Sequence, residues 1–127
     1  MVIDGGVTDV SNHAEPESFL PLPHLPLHIL LALATEAPLH GWAVIKRIKE
    51  MTEGRTAPSS GSLYLAMVRL EERGLLEQVD TPVEESDQRR RYYRLSGFGR
   101  SVLELESRRL AGLVEVARAA NMLAADG

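Results

Sequence analysis

No cysteine occurs anywhere in the 127 residues. That excludes a disulfide framework, a thiolate nucleophile and any cysteine-based zinc site, and it suits a reducing cytoplasm, which is the expected location. A run of about 18 uncharged apolar residues is missing too, so no membrane span and no membrane partner is expected. The first twenty residues hold no Lys or Arg and instead carry Asp4, Asp9, Glu15 and Glu17. A secretory signal needs a basic start and an apolar stretch, and neither is there. Catalytic signatures are equally absent: there is no Gly-x-Ser-x-Gly, no phosphate loop and no His-Glu-x-x-His, and the acids are scattered. His13, His24, His28 and His40 lack metal-ligand spacing. The chain therefore reads as a protein without catalysis, metal or cofactor.

What is present is the composition of an ordinary folded domain, 44% hydrophobic and 25% charged, with room for one core. The net charge of −4 hides an asymmetry. Residues 1–40 carry five acids and no Lys or Arg, residues 41–100 carry a charge of +2, and residues 101–127 carry −1. A body this acidic is not a non-specific nucleic-acid binder, so any such contact belongs to a local patch in the middle segment.

Three segments follow from the patterning: a flexible tail over residues 1–20, a folded body over 21–96, and a helix with the C-terminal end over 97–127. The tail is polar and acidic, with no helical or strand period through Ser18. Phe19 to Pro26 holds three prolines in six positions and predicts an extended lead-in. Leu27 to Glu36 is densely apolar and reads as a short buried helix stopped by Pro38. Trp42 to Glu53 is a second helix, with Trp42, Ile45 and Ile48 on one face. Trp42 is expected in the core, with the wall of a ligand pocket between the body and the last helix as the alternative.

Ser59 or Ser60 caps a third helix over Gly61–Arg73, which repeats Leu63, Met67 and Leu70 and stops at Gly74. Leu75–Val83 and Gln88–Leu95 read as two strands around the acidic turn Glu84-Glu85-Ser86-Asp87. Parity then puts Tyr93 and Leu95 inward, with Arg90, Tyr92 and Arg94 outward. From Gly97 to Ala124 a long helix repeats Leu103, Leu110, Ala117 and Ala124 every seven residues, flanked by Leu113 and Ala120. At 28 residues it would span about 42 Å, longer than the core can cover. Its surplus apolar face calls for a second copy of the same helix. Leu103, Leu110, Leu113, Ala117 and Ala120 are the expected dimer contacts.

Three helices followed by a hairpin is the order of a winged helix-turn-helix: mainly α with a small β-hairpin, plus here a long C-terminal dimerisation helix. Pro38-Leu39-His40-Gly41-Trp42, Gly61-Ser62-Leu63-Tyr64, Arg69-Leu70-Glu71, Gly74-Leu75-Leu76 and Arg91-Tyr92-Tyr93-Arg94-Leu95-Ser96 through Gly99-Arg100 to Leu103 resemble the PadR family of transcriptional regulators. The single last helix is similar to the compact branch of that family. The resemblance implies a homodimeric DNA binder, usually a repressor, dimerising through its C-terminal helical part and often released by a small effector. Leu65 stands where many members carry proline, Val68 where a basic residue is common, and Glu84, Glu85 and Asp87 where the wing turn commonly has glycine and basic residues.

Within that frame the expected partner is double-stranded DNA with a palindromic operator. Ser59, Ser60 and Ser62 combine a helix cap with free N–H groups that suit a phosphate. Tyr64 is expected to be partly exposed and to meet DNA; Arg69 is either a contact or a solvated charge. Arg89, Arg90 and Arg91 form the strongest basic run and would touch backbone phosphates, while Lys46 would do so from the second helix. The reading from another class is a winged helix used as a protein-interaction module without DNA binding.

Overall fold

A computed structural model describes residues 14–80 and 91–124. In chain order the elements are a short 3-10 turn (Pro16–Phe19), α1 (His24–Thr35), β1 (Leu39–His40), α2 (Gly41–Met51), α3 (Ser60–Glu72), β2 (Leu76–Val79), β3 (Tyr92–Leu95) and α4 (Gly97–Ala119). The three strands form one antiparallel sheet in the order β1-β3-β2.

α1 sits at the centre of the body, with Ile29, Leu30, Ala32 and Leu33 buried. It starts at His24, three residues before the expected Leu27. Pro26 lies in its first turn, where a missing N–H removes no intrahelical bond. The chain before it is not a loose tail up to Ser18, because Pro16–Phe19 is wound into a turn and the Phe19 ring packs edge-on against Phe98, 5.4 Å between centroids. Residues 1–13 lie outside the described residues.

The body closes through the stop at the end of α3. Gly74, at φ +86°, follows α3 as the left-handed residue of a Schellman motif. Leu75 N–H returns to the Leu70 carbonyl at 2.9 Å and Gly74 N–H to Glu71 at 3.0 Å. Glycine takes that conformation without strain. The turn delivers Leu75 and Leu76 straight into the core, where both are buried.

β2 pairs with β3 in the register Leu76↔Leu95 to Val79↔Tyr92. Tyr93 and Leu95 are buried and Arg94 faces solvent, as their parity requires. Both strands are shorter than expected within the described residues; the acidic turn, with Arg89 and Arg90, lies outside them. The third strand, β1, pairs Leu39 with Tyr93 and His40 with Tyr92. His40 also caps α2, its Nδ1 accepting from Ala43 N–H at 3.3 Å.

α4 begins in the body and leaves it. Ser96 caps it by accepting from Gly99 N–H at 2.9 Å, and a Cβ at Gly99 would run into the Leu75 carbonyl. Val102, Leu103 and Glu106 are buried. Leu103, expected at a dimer surface, is instead part of this core, because the heptad count places it on the turn that packs against the body. The helix also ends at Ala119 rather than Ala124. Asn121 takes a left-handed φ of +63° and Met122 N–H returns to the Ala117 carbonyl at 2.8 Å, the same stop as at Gly74. Ala120 is thus the cap residue rather than a position inside the helix.

Glu106 is 1% exposed. Its carboxylate accepts from Arg109 at 2.6 and 3.0 Å and from the Leu22 N–H at 3.0 Å. The Arg109 guanidinium holds the carboxyl below the usual glutamate range; burial opposes this and the Leu22 N–H adds to it. A buried charge is tolerated only when so paired. The proline-rich lead-in is thereby tied to α4.

Candidate nucleic-acid interface

The solvent face of α3 is built by its cap. Ser59 Oγ accepts from Ser62 N–H at 3.1 Å and donates to Ser62 Oγ at 3.0 Å. Two of the three expected serines are therefore engaged with each other, which orders the first turn. Leu63, Met67 and Leu70 bury one side of the helix, and this leaves Tyr64 and Leu65 exposed at the start of α3. Tyr64 is 61% exposed, in agreement with its expected position beside Leu63.

Two concavities flank this face. One, of about 730 Å³, lies between α2, α3 and β3 and gathers Ser60, Tyr64, Trp42, Lys49 and Arg91. The other, of about 460 Å³, lies on the opposite flank, where Ser62 and Arg69 meet Leu65, Phe19 and Arg73. The Arg73 guanidinium lies over the Phe19 ring at 4.4 Å, so the 3-10 turn is held against the end of α3.

Trp42 is not a core residue. It is 61% exposed, because α2 turns Val44 and Ile48 to the core and Trp42, two residues before Val44, falls on the opposite side. Ile48 alone of that apolar face is fully buried, with Ile45 half-buried. The alternative reading of Trp42 as a cavity wall fits better, but the cavity is on the α3 side of the body and not beside α4.

The cations divide in the same way. Lys46 and Lys49 are exposed on α2, whereas Arg47 is engaged with Thr35 Oγ1 at 2.9 Å and Glu50 at 3.4 Å. Arg91 lies close enough to the buried Tyr93 to act on its phenol. Burial first, then the Glu71 charge, pushes the Tyr93 phenol up from its usual value, and Arg91 pulls it back. Glu71 itself accepts from Gln78 at 2.9 Å, and Glu77 is paired with Arg94 at 2.7 Å. The carboxylates around α3 and β2 are thus partly satisfied within the chain. Arg69 stands exposed on α3. Among the described residues no group of three or more His, Asp or Glu is placed to hold a metal ion, and no helix is long and apolar enough to cross a membrane.

Sequence reasoning missed Lys49 as a cavity residue and Glu106 as a buried one. For Glu106 a signal was there: it continues the Val102–Leu103 stripe at i+3 and i+4, and Arg109 follows three residues on. Lys49 was legible as a water-facing cation of α2, able to touch phosphate, but not as a neighbour of Arg91, which the sequence places far along the chain.

Three helices, a recognition-type third helix with an exposed first turn, and a hairpin beside it define a winged-helix protein. The family model of PadR-like transcriptional regulators matches residues 30–105, and the chain belongs to that family. An uncharacterized 37.1 kDa protein in transposon TN4556 of Streptomyces fradiae is 40% identical over 85 residues, 67% of this chain and 22% of that protein. The chain thus spans about a fifth of the length of this curated relative. Among solved structures, a PadR family transcription regulator from Clostridium difficile shares the fold at a TM-score of 0.62, with 24% identity, covering 76% of this chain and 97% of that one. The PcaV transcriptional regulator of Streptomyces coelicolor matches at a TM-score of 0.65 and 26% identity, covering 91% of this chain and 79% of that one.

Proposed function

We propose that this chain is a sequence-specific DNA-binding repressor that acts as a homodimer in the cytoplasm and responds to a small effector. The observation that carries the reading is the exposed first turn of α3, where Ser60 and the largely exposed Tyr64 stand beside Lys49 and Arg91. In a winged helix that turn enters the major groove. Tyr64 and Arg69 read the operator, Ser59, Ser60 and Ser62 set the entry of α3 against a phosphate, and Lys46, Arg89, Arg90 and Arg91 bind backbone. Residues 21–96 serve as the DNA-binding unit and 97–127 as the dimerising one, with Leu110, Leu113 and Ala117 in the seam. Two copies related by a two-fold axis present two α3 helices, so the operator is palindromic, with half-sites about one helical turn apart.

The test is a titration of duplex from upstream of the chain's own gene across a salt series. A log–log slope of several negative units, with footprint protection in two symmetric halves, is the expected result. A flat slope, or equal affinity for scrambled duplex, sinks it. Support for the dimer lies in the exposed apolar residues Leu113, Val114 and Val116 on α4, a patch that a monomer leaves in water at a cost.

A further inference from the structure

One side chain of the reading face has no hydrogen bond to offer. At about 100° per residue, Gly61, Leu65, Val68 and Glu72 form the line of α3 opposite the buried Leu63, Met67 and Leu70. That line is the crest of the helix, the part that any surface approaching α3 meets first. Gly61 puts no side chain there, Val68 is half-buried, and Glu72 is exposed at the far end. Leu65, 55% exposed, is therefore the foremost side chain of the first two turns, and it is an alkyl group.

The crest runs between two flanks that carry cations. Lys49 and Arg91 line the larger concavity on one side; Arg69 and Arg73 line the smaller one on the other, with Leu65 at its edge. Among the described residues no carboxylate lines either. An apolar crest with a positive slope on each side matches the major groove in section, about 12 Å wide with a phosphate backbone along both margins. A protein groove fits less well. Helices that dock in one present large apolar residues at i, i+3 or i+4 and i+7, and here Gly61 and Glu72 occupy the crest on either side of Leu65 and Val68.

A single feature of the groove floor suits an isobutyl group. Guanine, cytosine and adenine present only hydrogen-bonding groups there, whereas thymine adds its C5-methyl. Leucine set against the first three strips water from polar atoms and returns no hydrogen bond. Against the methyl it buries apolar surface on both partners. We propose that Leu65 is the residue by which α3 selects thymine, packing on the C5-methyl while Tyr64 and Arg69 beside it make the polar contacts. Thymine selection rests on the DNA-binding reading above and adds to it the base that is chosen.

The probe is the duplex from upstream of the chain's own gene, copied once with thymidine and once with deoxyuridine. Uracil pairs as thymine does and lacks only the methyl, so the salt slope should be the same for both duplexes. The parent protein should bind the uracil duplex more weakly, by about fourfold per methyl lost and on the order of 15-fold where two copies each read one. Leu65→Ala should bind the thymine duplex about as weakly and should not distinguish it from the uracil one. Alanine favours helix at an exposed site, and an unchanged far-UV spectrum checks the fold. Uracil placed at one position at a time should locate the loss at one thymine in each half-site. Equal affinity of the parent for both duplexes overturns thymine selection. So does a full preference retained in Leu65→Ala, or a loss spread evenly over every thymine, since either assigns the methyl effect to something other than Leu65. Failure of both duplexes to bind overturns the DNA-binding reading itself and thymine selection with it, a result that none of the others can imitate.

Discussion

The two halves of α4 carry the same kind of apolar stripe and meet opposite fates. In the first half Val102 and Leu103 are buried against the body, together with the paired Glu106. In the second half Leu113 is 54% and Val116 65% exposed, although nothing in their residue types distinguishes them. The difference is geometric. At about 1.5 Å per residue the 23-residue helix runs roughly 35 Å, and the body beneath it ends near the turn after Glu106. Periodicity therefore reports which side of a helix is apolar, and the size of the partner decides how much of that side is covered.

The largest expected effect comes from removing the covered half. Leu103→Ala should cost about 2–5 kcal/mol of unfolding free energy, read by denaturant titration against the parent at one fixed protein concentration. A cost near zero would mean that the first half of α4 does not belong to the core. Next in size is the open half. Glu at both Leu113 and Val116 should leave the monomer folded, with an unchanged far-UV spectrum. It should also weaken self-association by on the order of 100-fold in sedimentation equilibrium, because two carboxylates would be buried in the seam. Unaltered association would place the dimer contact elsewhere on the chain.

A smaller effect tests the junction between the halves. Glu106 titrates below the ordinary glutamate range in the fold. The stability it contributes is therefore complete above that range, and is lost as pH falls through the lowered native value. Glu106→Gln should lower the melting temperature near neutral pH, with a smaller loss at an acid pH below the ordinary glutamate range, as the native carboxyl approaches its lowered value. Equal losses at both pH values would assign the effect to packing instead of charge. The smallest effect, and the most informative sign, belongs to Gly112. It lies in the exposed half, and nothing stands within 4 Å of a Cβ built there. Gly112→Ala should stabilise the chain by up to about 1 kcal/mol through helix propensity. Destabilisation that grows with protein concentration would show a partner's backbone approaching at that point.

Much of the body was legible in residues with local jobs. Ser59 or Ser60 announced the start of α3, of which Ser59 is the cap, and Gly74 its end, since capping and a left-handed stop are decided within a few positions. Tyr93 and Leu95 announced the inner face of β3 through parity alone. Features set by distant chain were not legible. β1 is two residues long, too short for any period to show, and exists because β3 offers it an edge. Trp42 looks like core by residue type, yet the body takes Val44 and Ile48 from α2 and leaves Trp42 outside. The candidate site divides along the same line: Tyr64 followed from its neighbour on one helix, whereas the meeting of Trp42 and Lys49 with Arg91 needed α2 and the start of β3 to come together. Asn121 was readable as a stop, and the continuous alanine-rich stretch around it concealed this.

The double employment of His40, which bonds to β3 as a strand residue and caps α2 as a side chain, sets a rule for indels. One residue added between Leu39 and Gly41 would either slip the ladder or leave α2 uncapped, and slipping by one turns alternate side chains over. Length variation among chains built like this one should consequently avoid that joint. The base of the wing and the start of α2 then move through sequence space as one piece, free to change residues but not spacing.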